Sequence, residues 1–500
     1  MKKILFIAAI FSVLGSQFTN AHGQQPDAIY KLLRYEWTLN SDGTSDYHYR
    51  HEVQILRNRA LVAYADKGET FVVFNPDLEE VTVNEVYTLQ KDGTRVNMPQ
   101  NAFIYQLPSS CESCGRFNHL RELAMVHTGM ELGCTIVVDY TIHRRYNFLY
   151  ESMPIQRECP VEQLEVVVNY SSNDMEVKYA IDGYQYLNSD DVTRSESANT
   201  GNPNRVLRYT FRNLQQAPRE PYMPDDIVPT LRLYNGTPEF TPAFDNARFG
   251  IDQDIMGVVA ARGSQRERAT AIRNYVVDNI HLNDIHPSHL GYTHATAEEV
   301  WLTGCGTATD KAVLTAALLN DEGFIAYVTG TDFDEVGVLI DTLEYRLSVR
   351  GKAPMTLYGE AKDEVVKQEL NGTFDADLDT LEDGFYHLRL PAVGNTLAID
   401  ASRLALTRSV PLQGVACNLN SDITINLPKG MKMVGHNSTQ TLNFDGIGSL
   451  ELTVKQSGKK LHVVRKMKLD KSLVAPEDYN SYRQILSAWQ SFGPILLQQK

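Results

Sequence analysis

The stretch WLTGCGTATDKAVLTAALLNDEG, residues 301–323, joins a glycine-rich turn to an apolar helical pattern. Thr307 followed three residues later by Asp310 is a capping-box signature, which marks the start of a helix. Gly323 is suited to the left-handed C′ position that ends one. The sequence therefore predicts a helix whose first residue is Ala308.

A helix start of this kind is a favourable place for a cysteine nucleophile, since free backbone N–H groups stabilise a thiolate. Catalysis further requires a histidine that accepts the proton and a third polar group that orients the histidine. Ala308 occupies the first helical position and carries no thiol. Cys305 precedes the cap, in the glycine-flanked turn. The sequence thus places no nucleophile where this chemistry requires one.

The longer segment EEVWLTGCGTATDKAVLTAALLNDEGFIAYV, residues 298–328, resembles the core of the transglutaminase-like superfamily. The matching positions are Glu299-Val300-Trp301, Gly304, Gly306-Thr307, Asp310-Lys311 and Gly323. In this register the family's catalytic cysteine falls on Ala308, in agreement with the helix-cap argument. The resemblance implies a papain-like α+β core.

The resemblance also implies where the other two members of a catalytic triad would lie. The family's histidine position falls on Glu335, within Phe333-Asp334-Glu335-Val336, and its aspartate position falls on Ser348. A glutamate, with an ordinary pKa near 4.3, is a poor base for a thiol at neutral pH. Ala308, Glu335 and Ser348 therefore form a degenerate triad, which favours a non-catalytic protein.

The resemblance extends to both flanks of the core. Residues 86–99 (VYTLQKDGTRVNMP) and 120–142 are similar to a domain of unknown function that precedes transglutaminase-like domains in exported bacterial proteins. Residues 384–391 (GFYHLRLP), 426–433 (NLPKGMKM) and 477–486 (EDYNSYRQIL) are similar to the β domain that closes the same architecture. Nearly all of the chain after its first 23 residues is covered.

Hydrophobic patterning supports an α+β fold in three parts. Residues 24–240 show short alternating runs, with hairpin signals at Asp42-Gly43 and Asp92-Gly93, and predict an N-terminal antiparallel β domain. Residues 241–375 predict the transglutaminase-like domain, with helix and loop over 358–383. Residues 376–500 predict a β-sandwich-like domain with a terminal amphipathic helix. The apolar stripe of that helix consists of Tyr479, Tyr482, Ile485, Leu486, Trp489 and Phe492.

The first 23 residues have the composition of a secretory signal peptide. Lys2 and Lys3 precede an apolar run, 4–14, and small residues offer cleavage after Ala21 or Gly23. We therefore predict a periplasmic or secreted protein. The net charge of −15 argues against nucleic acid and anionic lipid as partners, and no stretch predicts membrane insertion.

Export changes the interpretation of the cysteines, because an oxidising compartment favours disulfides. The candidates for pairing are Cys111, Cys114, Cys134 and Cys159. A bond between Cys111 and Cys114 across a tight loop is one pairing that the spacing favours. A zinc site made by all four is an alternative, although zinc ribbons usually show two close pairs. Connectivity does not follow from the sequence.

Three functions remain open at this point. The first is a non-catalytic module that binds a peptide, a glycan or a protein partner in the groove between residues 308 and 335. The second is an acyl-transfer enzyme, a thiol protease or transglutaminase, that uses Cys305 as a displaced nucleophile. The third is a metal or glycan site in HPSHLGYTH, residues 286–294, where Pro287 prevents a helix. Histidines near the turn are His281, His286, His289 and His294. The favoured first function needs neither a cofactor nor a metal.

Overall fold

The computed structural model describes residues 26–61, 70–198, 203–224, 227–237, 263–330, 336–352, 355–357, 365–393, 397 and 399–499. The chain divides into two compact units. The first consists of Met1–Ala217 with Val228–Tyr358, and the second of Pro218–Ile227 with Gly359–Lys500. The predicted signal peptide lies outside the described residues, as does the predicted boundary at residue 240.

The first part of unit one is built from strands. Their bounds are β1 (Ala28–Leu39), β2 (Ser45–Ile55), β3 (Phe71–Phe74), β4 (Glu79–Leu89), β5 (Arg95–Asn97), β6 (Phe103–Gln106), β7 (Arg121–Met125), β8 (Thr135–Arg144), β9 (Tyr150–Pro154), β10 (Val161–Ser171), β11 (Lys178–Asp182), β12 (Val192–Ala198), β13 (Asn204–Leu214) and β14 (Thr230–Tyr234). Short 3-10 helices lie at Gln100–Ala102, Ser109–Cys111, Gly115–Phe117, Tyr184–Tyr186 and Ser189–Asp191.

Most of these strands form one large sheet in the order β12-β13-β10-β1-β2-β8-β4-β5. Two three-stranded sheets, β11-β14-β9 and β3-β7-β6, accompany it. Gly43 and Gly93 both have φ +89, as the predicted hairpins require. The prediction of a purely antiparallel domain is wrong at one place, because β1 pairs with β10 in parallel. The many strands between them supply the long crossover that parallel neighbours need.

The second part of unit one contains helices and a small sheet. Its bounds are α1 (Gln265–Asn279), β15 (His281–Leu282), α2 (Ala297–Thr303), β16 (Cys305–Gly306), α3 (Ala308–Asp321), β17 (Ala326–Thr329), β18 (Gly337–Ile340), β19 (Tyr345–Ser348) and β20 (Thr356–Leu357), with 3-10 helices at Pro287–Leu290 and Asp341–Leu343. The sheet order is β17-β18-β19-β20, antiparallel throughout. The capping box predicted for α3 is present, and α1 begins with a capping box of its own, formed by Ser264 and Glu267.

Helix α3 is the centre of this second part. Every residue from Ala308 to Leu319 is buried, so the helix is enclosed on all sides rather than on one stripe. It packs between α1 and α2 and strands β17 and β18. Helix α3 therefore fixes the position of its own N-terminus precisely within the fold.

Unit two contains β21 (Val366–Asp375), β22 (Asp377–Thr380), β23 (Phe385–Arg389), β24 (Leu412–Gln413), β25 (Cys417–Asn426), β26 (Met431–Met433), β27 (Ser438–Phe444), β28 (Gly448–Ser457), β29 (Lys460–Leu469), β30 (Leu473–Val474), α4 (Tyr479–Gln490) and β31 (Ile495–Gln499), with 3-10 helices at Glu382–Gly384 and Ala401–Arg403. Two sheets, β21-β25-β29-β28-β27 and β22-β23-β31-β26, share a core, as in a sandwich.

The start of unit two differs from the prediction. Residues 366–375 form β21, which pairs in parallel with β25, so the helix and loop expected over 358–383 is wrong for this strand. Residues 358–364 of that expectation lie outside the described residues. The strand alternates half-buried and exposed residues, and its many polar side chains made it resemble a loop in the sequence. In the structure β21 belongs to the second unit, which resumes at Gly359.

Helix α4 follows the predicted stripe. Its buried residues are Tyr479, Tyr482, Ile485, Leu486 and Trp489. The Tyr482 hydroxyl accepts from the Val415 N–H at 2.7 Å and donates to the Val415 carbonyl at 3.0 Å. Among the described residues, no helix is long and apolar enough to cross a membrane.

Candidate functional site

The turn before α3 is shaped by two glycines. Gly304 adopts φ 65 and ends α2 in the left-handed conformation. Strand β16 then pairs in parallel with β15. A Cβ at Gly306 would lie 2.7 Å from the Cβ of Asp310, so only glycine fits there. These features hold the start of α3 against the end of α1.

The cap of α3 is a closed network around the Asp310 carboxylate. The Thr307 Oγ1 accepts from the Asp310 N–H at 3.2 Å, and Asp310 Oδ2 accepts from the Thr307 N–H at 2.8 Å. Asp310 Oδ1 accepts from the Ala295 N–H at 2.7 Å. The Arg116 guanidinium, from the N-terminal β part, lies 2.8 Å from Oδ2. The fully buried carboxylate is therefore paired and hydrogen-bonded, as a buried charge must be.

The neighbouring Lys311 is also structural. Its buried ammonium donates to the Ile280 carbonyl at 2.8 Å, at the end of α1. Burial lowers the pKa of Lys311 below its ordinary value. The Asp-Lys pair that the sequence matched to the family thus fastens α3 to its surroundings. Sequence reasoning missed Arg116, because no local pattern signals a partner 194 residues away.

A pocket of about 470 Å³ opens at the first turn of α3. Among the residues that line it are Asn283, His286, Ala308, Thr309, Val336 and Arg350. Strand residues Ser152 and Thr230 of the N-terminal β part line its other side. Ala308 contributes a methyl group to this lining. The residue at the predicted nucleophile position therefore lies in the wall of a pocket, and its side chain is inert.

The structure pairs Cys114 with Cys305, so the expected bond between Cys111 and Cys114 is wrong. The 3-10 helices around residues 109–117 fold onto the turn at 304–306, which brings the two Cα atoms to 5.8 Å across 191 residues of sequence. Cys114 and Cys305 share a buried cluster with Phe117 and Ile285. The disulfide therefore joins the N-terminal β part to the turn before α3.

Of the other disulfide candidates, Cys111 and Cys134 are buried free thiols, and Cys159 is also buried. Cys111 lies close to Cys114 in the same apolar cluster, whereas Cys134 and Cys159 belong to the core of the large sheet. Burial raises the pKa of both Cys111 and Cys134. Within the described part of the chain, no group of metal-binding side chains occurs, so the four-cysteine zinc arrangement is not formed.

The alternative nucleophile, Cys305, has no free thiol in this structure, because its sulfur is bonded to Cys114. It is also almost fully buried. A disulfide sulfur does not attack a carbonyl, since the thiolate is the nucleophile. In this state Cys305 is a cross-link.

Of the other two predicted triad positions, the structure describes Ser348 but not Glu335. Glu335 lies outside the described residues, although the next residue, Val336, lines the pocket. Ser348 lies opposite Gly337 on β18 and β19, and its carbonyl accepts from Arg273 at 3.1 Å. Ser348 is not among the residues that line the pocket. Of the two predicted positions that the structure describes, Ala308 lines the pocket and Ser348 does not.

The histidine-rich stretch 286–294 forms a contact between the two parts of unit one. The Tyr146 hydroxyl donates to the Ser288 carbonyl, and the Tyr292 hydroxyl donates to the Tyr150 carbonyl, both at 2.9 Å. Asn75 donates to the His289 carbonyl at 2.8 Å. The stretch has a structural role that its sequence did not indicate.

The four histidines differ in their surroundings. His286 lines the pocket, with its Nδ1 2.7 Å from the Ser288 hydroxyl oxygen. His289 Nδ1 lies 3.6 Å from Glu79, on the N-terminal β part. His281 is exposed on β15, and His294 Nδ1 lies 2.9 Å from the Ala295 carbonyl. Only His286 among them lines the pocket.

Glu79 is the main buried acid of that contact. Burial by itself would raise the pKa of the Glu79 carboxyl. The His289 imidazole, the Arg144 guanidinium and the Asn75 N–H outweigh that effect, so the pKa of Glu79 lies below its ordinary value. The Arg144 Nε lies 3.1 Å from the carboxylate. Glu79 is therefore a structural anion that holds β4 to β8 and to the 286–292 segment.

Two models of protein families match separate segments of this chain. A family model for a domain of unknown function with a solved structure, DUF3857, matches residues 41–218, and a second such model, DUF3858, matches residues 391–492. A search of curated proteins finds no match. The two matched segments lie on either side of α3 in the sequence, and the first contains the pocket-lining residue Ser152.

Among solved structures, the crystal structure of a protein described as a putative protease from Parabacteroides distasonis is similar, with a TM-score of 0.72 and 23% identity. The match covers 95% of this chain and 99% of that one. The two proteins therefore share a fold. An M1 zinc metallopeptidase from Deinococcus radiodurans is 10% identical over 59% of this chain and 63% of that one, but its TM-score of 0.19 is too low to support an argument.

Proposed function

We propose that this chain is an exported, non-catalytic member of the transglutaminase-like superfamily that binds a ligand in the pocket at the start of α3. The single observation that carries the proposal is the pocket itself, lined at the nucleophile position by the methyl group of Ala308. The fold shared with a protein described as a putative protease supports the ancestry of the site. Retention of the pocket without the thiol points to binding.

The surroundings of Ala308 support the absence of catalysis. The nearest cysteine in sequence, Cys305, is bonded to Cys114, and Ser348 is not at the pocket. Losing one member of such a triad can lower the rate by a factor of about 10⁴ or more. A site that lacks the thiol has no acyl-enzyme chemistry for the remaining groups to assist.

A pocket of this size and composition suits recognition. Ligand sites commonly occupy about 300–1,000 Å³ and combine apolar walls with a few well-placed polar groups. This pocket has Ile285, Val336 and Ala308 as apolar walls and Asn283, Thr309 and Arg350 as polar groups. It is also lined by strand residues of the N-terminal β part, so a ligand would contact both parts of unit one.

Export to the periplasm or outside the cell is part of the proposal. The signal-like sequence of the first 23 residues supports it, as does the disulfide, because such bonds persist in oxidising compartments. Detection of the protein in the periplasmic or extracellular fraction, with the chain beginning after Ala21 or Gly23, is the expected result. Retention of the full-length chain in the cytoplasm would contradict it.

Binding is tested by filling the pocket. Immobilised protein is exposed to a mixed-sequence library of acetylated tetrapeptides and, separately, to N-acetylglucosamine oligomers. We expect the wild type to retain one of the two probes and the Ala308→Trp variant to lose it, because an indole would occupy the pocket. Thr193→Trp, exposed on β12 and not lining the pocket, is the matched control. Equal retention by wild type and Ala308→Trp would refute the proposal.

A further inference from the structure

The first turn of α3 presents two backbone donors to the pocket. The capping box uses the N–H groups of Thr307 and Asp310. The N–H groups of Ala308 and Thr309 have no partner within the helix, as expected for its first positions. Among the described residues, no other acceptor reaches them. Both residues line the pocket, so their donors and the positive end of the helix dipole are available to a ligand there.

A second and independent feature of the same pocket is an acceptor without a partner. Asn283 is 2% exposed and lines the pocket. Its Nδ2 donates to the Ser110 carbonyl at 2.8 Å and to the Glu112 carbonyl at 3.3 Å, and these two bonds fix which way the amide points. Its Oδ1 is buried and has no hydrogen-bond partner in the described structure. A buried acceptor left unpaired is costly, and a ligand donor would remove the cost.

A positive charge stands beside these groups. Arg350 and Asp284 both line the pocket, and the Arg350 Nη1 lies 3.3 Å from the Asp284 carboxylate. The side chain of Asp284 is 85% exposed, and such surface pairs contribute little. A guanidinium has five N–H donors, so Arg350 retains donors for a second carboxylate.

The pocket therefore offers a helix N-terminus, a guanidinium and an unpaired amide oxygen within one volume of about 470 Å³. Resting on the binding function proposed above, we propose that its ligand is the free carboxyl end of a peptide. The terminal carboxylate would accept from the Ala308 and Thr309 N–H groups and from Arg350. The last peptide N–H, two bonds from that carboxylate's carbon, would donate to Asn283 Oδ1. A neutral glycan would leave the charge of Arg350 and the helix N-terminus unused.

The test compares three forms of one ligand on the full-length protein. The probe is the mixed-sequence acetylated tetrapeptide library with a free carboxyl terminus, with a terminal amide, or with a free carboxylate and a methyl group on the last peptide nitrogen. Loss of a hydrogen bond to a charged group costs about tenfold to a hundredfold in affinity. We expect the amide form to bind at least about tenfold more weakly, and the N-methylated form to bind more weakly than its parent.

Substitutions in the protein test which side chain binds the terminal carboxylate of the peptide. Arg350→Gln is expected to weaken the free-carboxylate form by about tenfold and to leave the amide form unchanged. Lys352→Gln is the matched control, because Lys352 is an exposed cation two residues away that does not line the pocket. An equal response of both variants would overturn the assignment of Arg350.

The other outcomes separate this inference from the proposed function. Equal binding of the acid and amide forms would overturn the inference while the pocket remains a peptide site. Retention of N-acetylglucosamine oligomers and of no peptide would also overturn it, while the binding function would stand. Retention of neither probe would contradict the proposed function itself.

Discussion

Ala308 carries no reactive group, although it stands at a helix start that many surrounding groups stabilise. The cap, the glycine turn and the buried Asp310 all remain around it. These groups stabilise the helix start whether or not a thiol is present. Folding alone therefore accounts for the cap, the glycine turn and Asp310. The residue types at the cap say nothing about catalysis.

Asp310 is the residue whose loss should matter most for stability. Asp310→Asn would leave Arg116 without its partner and weaken the cap, so we expect the free energy of unfolding to fall by about 3 kcal/mol. Urea unfolding measures this change. Asp321→Asn, exposed at the other end of the same helix, should change it by less than about 0.5 kcal/mol. Similar effects of the two substitutions would contradict the role of Asp310.

Glu79 gives a pH dependence with a defined sign. The pKa of Glu79 in the folded protein is below the ordinary value of about 4.3. The ionised carboxylate therefore stabilises the fold at pH values above about 4.3. This stabilisation is lost as the pH falls through the pKa of Glu79 in the folded protein. We expect Glu79→Gln to lower the free energy of unfolding at neutral pH, and we expect its difference from the wild type to shrink as the pH falls below the ordinary carboxyl pKa.

Urea unfolding at a series of pH values checks this prediction. Glu80→Gln is the matched control, since Glu80 is the adjacent residue on β4 and is exposed. The control should follow the wild type at every pH. A Glu79→Gln deficit that stays constant as the pH falls would show that the carboxylate charge is not what stabilises the contact.

At the scale of elements, the disulfide links the turn before α3 to the 109–117 segment. A cross-link that closes so long a loop stabilises a protein by about 2–5 kcal/mol. We expect Cys114→Ala to lower the free energy of unfolding by this amount in oxidising buffer. A reductant should destabilise the wild type and leave Cys114→Ala unchanged, which provides an internal control. Wild-type unfolding that is insensitive to the reductant would contradict the cross-link.

The same elements show what the sequence could predict. The start of α3 depends on residues three apart, and the capping box predicted it correctly. The stripe of α4 and the Gly43 and Gly93 hairpins are equally local. The Cys114–Cys305 bond and the Arg116–Asp310 pair are not, because each joins residues more than 190 positions apart. A local sequence pattern does not indicate which of many distant residues will be the partner of a given side chain.

The prediction failed at β21 because the pairing of this strand depends on residues that are distant in the sequence. The parallel pairing of β21 with β25 depends on a neighbour reached only after the chain has left and returned. The polar residues of β21 looked like a loop, although one face of the strand is only half covered. For the candidate site, the helix start at Ala308 follows from the local cap, whereas the orientation of the Asn283 amide depends on tertiary contacts with residues 110 and 112.

At the scale of the whole molecule, the chain carries its pocket within one unit, between a large β part and a small helical part. The pocket is lined from both parts, and the disulfide and the Arg116–Asp310 pair join them. These contacts do not depend on a reactive thiol at position 308, so they hold the two parts together whether or not the site is catalytic. Rigid walls lower the entropic cost of holding a ligand.

The most direct test of this account is a search for acyl-transfer products. The purified protein is incubated at neutral pH with a mixed-sequence peptide library and a primary amine, before and after reduction of its disulfide, and the peptides are analysed by mass spectrometry. The account predicts that every peptide is recovered intact and without an amine adduct, even when reduction frees Cys305. Hydrolysed or amine-linked peptides that disappear in a Cys305→Ala variant would contradict it.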